Sequence, residues 1–198
     1  GLAFRHGETR AMVLEGVSIV RATVGFSAGG GLLIDGASPT IQNCVLAWDS
    51  APGVVVGIGG GALCANGSPR FDGCTIASNS AEDGGDGVYC AAGSHVEFVN
   101  TVIWGNCGDD VLVADNATAI LSCCVYGTLF GSGAVTLDRS VQTDPRFCDA
   151  VICDIGPAEP SRFRVHGESP CLPANNECGA LIGALGIGCP PESSPDIG

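Results

Sequence analysis

The chain has 198 residues, including 31 Gly, 12 Cys and no Lys, and its eight Arg set against 21 acidic residues leave a net charge of −13. That length supports one sizeable domain with its own core, and that charge repels nucleic acid and anionic membranes, which excludes both as partners. No apolar run approaches the ~18 residues of a membrane-spanning helix.

Ca²⁺, basic partners and neutral glycans are compatible with the acidic surface, but the composition implies no cofactor and no metal site. The chain starts at Gly1 without Met or leader, as expected of a processed secreted protein or of a piece of a longer one. Zinc would need paired Cys-x₂-Cys spacings, and none occurs. The cysteines therefore point to disulfides and to an extracellular or cell-surface location.

Along the chain the elements repeat. A degenerate first copy ends in EGVSI, Glu15 to Ile19. Clearer copies follow as GGGLLIDGASPTIQNCVL from Gly29, GGGALCANGSPRFDGCTI from Gly59 and GDGVYCAAGSHVEFVNTVI from Gly85, then a weaker DDVLVADNATAILSCCVY from Asp109. One column reads Val17, Cys44, Cys74, Thr101 and Cys124; a second reads Ile19, Leu46, Ile76, Ile103 and Tyr126; a third reads Ile34, Cys64, Cys90 and Val113.

Apolar residues at i and i+2 mark strands with one buried face. Strands this short bury that face only by stacking copy upon copy into parallel sheets. The 10–15-residue amphipathic runs of a helical repeat are missing, and a propeller blade needs about 40 residues. The repeat predicts an all-β parallel β-helix, a solenoid of about five to six coils. Gly29–Gly31, Gly59–Gly61 and Gly85/Gly87 supply turns with positive φ, and Ser38-Pro39 and Ser68-Pro69 an extended entry into the next strand. Asp49, Asn79 and Asn106 occupy a further column after the second strand of each copy, read as a stacked polar turn ladder or, alternatively, a metal or sugar site.

Periodicity ends near residue 147. Residues 1–147 are read as coils, 148–190 as a Cys-rich, irregular cap packed on the last coil, and 191–198 as a linker-like tail. The phrases GGGALCANGSPRFDGCTIASNSA and GDGVYCAAGSHVEFVNTVIWGN, with the later TDPRFCD and GESPCLPANNECGALIGALGIGC, resemble the bacterial secreted right-handed parallel β-helix repeat proteins of the pectin-lyase-like fold. The likeness covers nearly the whole chain and is specific for fold; it implies a surface or secreted protein and leaves function open.

Cys44 with Cys74, and Cys64 with Cys90, share columns in neighbouring coils, close enough for a bridge and equally suited to stacked buried thiols. Cys107 is expected to pair with Cys123 or Cys124. Cys148, Cys153, Cys171, Cys178 and Cys189 are expected to crosslink the C-terminal segment to the last coil.

The leading functional reading is an extracellular structural or surface-display protein. No capping helix precedes Val13, so either an upstream segment or another molecule covers that end. Self-association head to tail, giving a filament, and neighbouring domains of a longer chain are the partners this implies. A carbohydrate-binding module, or a polysaccharide lyase or hydrolase as the fold resemblance implies, is the alternative. Tyr89, Trp104 and Trp48 are the candidate glycan contacts, Tyr89 facing outward between two core columns. Catalysis has weaker support. Asp109-Asp110 is the one acidic doublet and sits where other copies turn on glycine, Lys is absent, and His6, His95 and His166 fall in dissimilar positions. Asn66-Gly67-Ser68 and Asn116-Ala117-Thr118 are glycosylation sequons in the same turn of their coils.

Overall fold

The structure, a computed structural model, describes residues 1–24, 29–53, 57–149, 153 and 157–189; the tail expected at 191–198 lies outside them. Three parallel sheets of six strands each run the length of a solenoid. Sheet 1 stacks β1 (Leu2–Phe4), β4 (Leu32–Asp35), β8 (Ala62–Ala65), β12 (Val88–Cys90), β15 (Val111–Val113) and β18 (Leu129–Gly131). Sheet 2 stacks β2 (Val13–Glu15), β5 (Thr40–Gln42), β9 (Arg70–Asp72), β13 (His95–Val99), β16 (Thr118–Ser122) and β19 (Ala134–Asp138). Sheet 3 stacks β3 (Ser18–Val20), β6 (Val45–Ala47), β10 (Thr75–Ala77), β14 (Val102–Trp104), β17 (Val125–Tyr126) and β20 (Val141–Gln142). A short fourth pair, β7 (Ser50–Ala51) and β11 (Ser80–Ala81), extends the corner after sheet 3.

The sequence columns are the register. Ile19, Leu46, Ile76, Ile103 and Tyr126 are consecutive partners across sheet 3, and Ile34, Cys64, Cys90 and Val113 across sheet 1. All of them point inward, where Phe71 and Phe98 add a stacked ring pair 5.3 Å apart. The repeat predicts about five to six coils; six strands line each sheet, and about four of the turns have a closed interior.

Each coil turns sharply from sheet 2 into sheet 3 through one residue at positive φ: Gly16, Asn43, Gly73, Asn100, Cys123 and Arg139, with φ between 46° and 67°. Gly and Asn adopt this left-handed conformation at the lowest cost, which explains four of the six. In the glycine runs only the first member, as at Gly29 (φ 80°) and Gly59 (φ 68°), needs its freedom of φ. The third member is small for another reason. A Cβ on Gly31, Gly61 or Gly87 would sit 2.5–2.8 Å from the side chain of Asp49, Asn79 or Asn106.

The C-terminal segment departs from expectation. Its described residues do not close the last coil; they run back along the flank of the solenoid, over the outer face of sheet 3. Phe163 packs with Val45, Ala47 and Ala77, and Val165, Leu172 and Ile182 pack with Val102 and Val125. The reason is visible in the strands. β6 and β10 are buried at all three positions, whereas β5 of sheet 2 and β12 and β15 of sheet 1 bury alternate ones. A sheet with an apolar outside as well as an apolar inside needs a cover.

Candidate functional site

Asp49, Asn79 and Asn106 form a buried ladder at the corner after sheet 3. Asn79 Oδ1 accepts from the Asp49 amide at 2.9 Å, and Asn106 Oδ1 accepts from the Asn79 amide at 3.0 Å. Each Asn Nδ2 donates onward to the next member and to a backbone carbonyl, Leu46 O or Ile76 O. The ladder has a fourth member, Asp110, which sequence reasoning assigned to a substituted glycine turn. Asp110 Oδ1 accepts from the Asn106 amide and Nδ2 at 2.9 and 2.7 Å, and its Oδ2 accepts from the Thr128 amide at 2.8 Å. Burial pushes its carboxyl above the usual range against these hydrogen bonds.

At the other end Asp49 is worse served. Its Oδ1 accepts from the Ala22 amide at 2.7 Å, while Oδ2, placed where the Asn residues carry a donor, is buried without a partner. Burial drives this carboxyl up to about 8, so it is neutral in the fold at neutral pH. A protonated Oδ2 restores the donor that the ladder pattern calls for.

The aromatic candidates are not brought together. Tyr89 stands half-buried on the outside of sheet 1, between Leu63 and Leu112. Trp48 lies at the corner after sheet 3 with its ring 4.8 Å from Phe163 of the flank segment, and Trp104 packs into the apolar contact beneath that segment. The covering segment, unforeseen from sequence, takes both Trp rings out of any common binding row. His6 and His95 are exposed on the first coil and sheet 2, and His166 belongs to the flank segment. Asn66 and Asn116 are exposed, both at positive φ in the turn between sheets 1 and 2.

Three disulfides occur: Cys107–Cys153, Cys123–Cys178 and Cys148–Cys189. The pairing expected for Cys107 with Cys123 or Cys124 is thus corrected. Cys107 and Cys123 each hold the flank segment instead of each other, because that segment passes over both coils. Cys44, Cys64, Cys74, Cys90, Cys124 and Cys171 are buried thiols, so neither in-column pair is bridged and Cys171 crosslinks nothing. Burial pushes Cys90 and Cys124 up to about 12, which keeps them protonated and inert.

With the described part of the C-terminal segment on the flank, no described residue covers the apolar centre of the last coil. Val135 and Leu137 of β19 continue the core columns of Ala119 and Leu121, yet are 38% and 46% exposed, against 0% for the residues they follow. Half-buried Leu129 continues the column of Val111. At the opposite edge Leu2, the partner of fully buried Leu32, is 43% exposed, and Phe4 and Leu14 are only partly covered. Among the described residues, β1–β3 and β18–β20 are the outermost strands of the same three parallel sheets.

Residues 10–147 match the family described as right-handed beta helix region. No curated protein and no solved structure matches the chain.

Proposed function

The chain belongs to the right-handed β-helix family, and on that premise we propose that it is an extracellular structural scaffold that extends by adding a second copy, head to tail, to its open coil end. The observation that carries this reading is the exposure of Val135 and Leu137, whose partners in the coil before, Ala119 and Leu121, are fully buried. An exposed parallel edge with apolar side chains at its centre is a template for further strands, and the β1–β3 edge of another copy offers strands of the same three sheets. Such a contact is heterologous and does not close on itself, so it propagates into a fibre. Three disulfides suit an oxidising environment outside the cell.

Negative-stain electron microscopy of the oxidised protein at high concentration tests this. Filaments are expected, with an axial repeat of about 29 Å per copy from six strands at ~4.8 Å spacing. Leu137→Arg, which places a charge at the centre of the edge, is expected to abolish them with an unchanged circular dichroism spectrum. Monodisperse particles of the parent protein at every concentration would overturn the proposal.

A further inference from the structure

The turn from sheet 1 into sheet 2 repeats one constraint in successive coils. Its first residue, Gly36, Asn66, Gly93 or Asn116, stands at positive φ (64°, 52°, 80° and 60°), which glycine and asparagine adopt at the lowest cost. The residue after it packs down on the coil before. Ala37 and Ala117 are buried there, and at position 67 the approach is closer still: a Cβ on Gly67 would collide with the Ala37 carbonyl oxygen. Stacking thus joins an asparagine that suits the φ to a glycine that suits the space, and Asn66 is the one asparagine of the chain that precedes glycine. This turn and its counterparts in the coils before and after lie wholly within the described residues.

Asn66 is exposed, and its Nδ2 donates to Asp35 Oδ1 in the coil before at 3.0 Å. The backbone amides that follow Asn79, Asn106 and Asn116 are all engaged, donating to Asp49 O, Asn79 O and Ala114 O at 2.9, 2.8 and 3.0 Å. The half-buried Gly67 amide donates to no acceptor among the described residues. A peptide nitrogen with no hydrogen bond to break and no Cβ beside it is a nucleophile for the side-chain amide of the residue before it.

We propose that Asn66 is a self-modification site, at which the Gly67 nitrogen closes on the Asn66 side chain and the amide is exchanged for a carboxylate. The Gly67 nitrogen gives its proton to hydroxide and attacks Asn66 Cγ. The N–Cγ bond forms, the Cγ–Nδ2 bond breaks, and Nδ2 takes a proton from water and leaves as ammonia. The five-membered succinimide then adds one water. Opening at Cγ leaves aspartate at position 66; opening at the backbone carbonyl leaves isoaspartate, with one more methylene in the main chain. Either product sets a carboxylate where Asp35 had a donor, and like charges this close repel. The turn so loosened carries two links between coils, Ser68 N to Ser38 Oγ at 2.9 Å and His95 N to Gly67 O at 2.8 Å. Loss of ammonia is irreversible, so the modified fraction records how long each molecule has stood in water.

The oxidised full chain is incubated at pH 8 and 37 °C in ¹⁸O-water, then alkylated and digested in ordinary water with trypsin, which releases residues 22–70 of this Lys-free sequence as one peptide. A gain of 3 Da, placed at Asn66 by fragmentation, is expected at least about tenfold faster than any gain at Asn43 in the same peptide or at Asn116. No gain at Asn66 in the folded chain, while the urea-unfolded chain is modified, would mean that the turn protects the pair and would overturn the proposal; so would equal rates at Asn66 and Asn116. Asn66→Asp, which installs the product carboxylate directly, is expected to speed hydrogen exchange of the Ser68 and His95 amides at least about tenfold. Asn66→Gly, whose backbone the column already holds at Gly36 and Gly93, is expected to leave both slow. Equal exchange in the two variants would overturn the loosening.

Discussion

The outer faces of sheets 2 and 3 start from the same parallel strands and end in opposite surroundings. On sheet 2 the outward positions carry Arg70, Glu97 and Asp72, and the Arg10 guanidinium grips Glu97 through two hydrogen bonds of 2.7 and 2.8 Å. That face stays wet and ionic. On sheet 3 the outward positions carry Val45, Ala47, Ala77, Val102 and Val125, and a second apolar core forms over them. A solenoid strand therefore has an outside whose residues decide whether it meets water or another piece of chain. The carboxylates repeat the contrast. Arg10 above all, with Arg70, holds Glu97 below its usual range, while burial raises Asp49 in the ladder.

The largest expected effect separates those two carboxyls. Asp49 keeps its proton in the fold up to about 8, whereas the unfolded chain releases it near pH 4. Its contribution is complete below pH 4, declines as pH rises, and is gone once pH passes about 8. Asp49→Asn, which cannot ionise and restores the missing donor, is expected to gain roughly 3–5 kcal/mol over the parent at pH 9 and little at pH 4. Urea unfolding at both values checks this, and an equal gain at the two would break the assignment.

Next is Phe163, which is 1% exposed and packed between the tilted ring of Trp48 and the edge-on ring of Phe147. Phe163→Ala is expected to cost about 3–5 kcal/mol and to expose sheet 3 to a hydrophobic dye; a loss below about 1 kcal/mol would deny that the flank contact is a true core.

The smallest effect lies on the wet face. Glu97→Gln is expected to cost no more than about 1 kcal/mol and to lose even that in 1 M salt, since exposed ion pairs are weak and screened. For this group the sign is opposite to that of Asp49: its contribution is present above the ordinary carboxylate range and lost as pH falls through the lowered value.

The coil architecture was legible because the apolar columns obey a period of two within strands and recur between copies. The Asp49, Asn79 and Asn106 ladder was legible for the same reason. Asp110 was not, since the coil shortens after Asn106 and the next ladder member follows only four residues later. The course of the C-terminal segment was missed although its signal was present. Val45-Leu46-Ala47, Thr75-Ile76-Ala77 and Val102-Ile103-Trp104 do not alternate in the way a one-sided strand does. Disulfide pairing could not precede that knowledge, because which coils Cys153 and Cys178 reach depends on where the segment lies.

The flank segment also changes how the turns depend on one another. A solenoid is nearly one-dimensional: each coil touches its neighbours alone, and unfolding can spread from an end one turn at a time. Here one stretch of chain reaches four successive turns. Phe163 meets Trp48, the Ala184 amide donates to Thr75 Oγ1 at 3.0 Å, the Gly183 amide donates to Asn100 O at 2.7 Å, and Cys178 is bonded to Cys123. Like a batten nailed across planks, it couples non-adjacent coils, so these turns melt as a single cooperative block and tension along the axis is shared among them instead of opening the weakest.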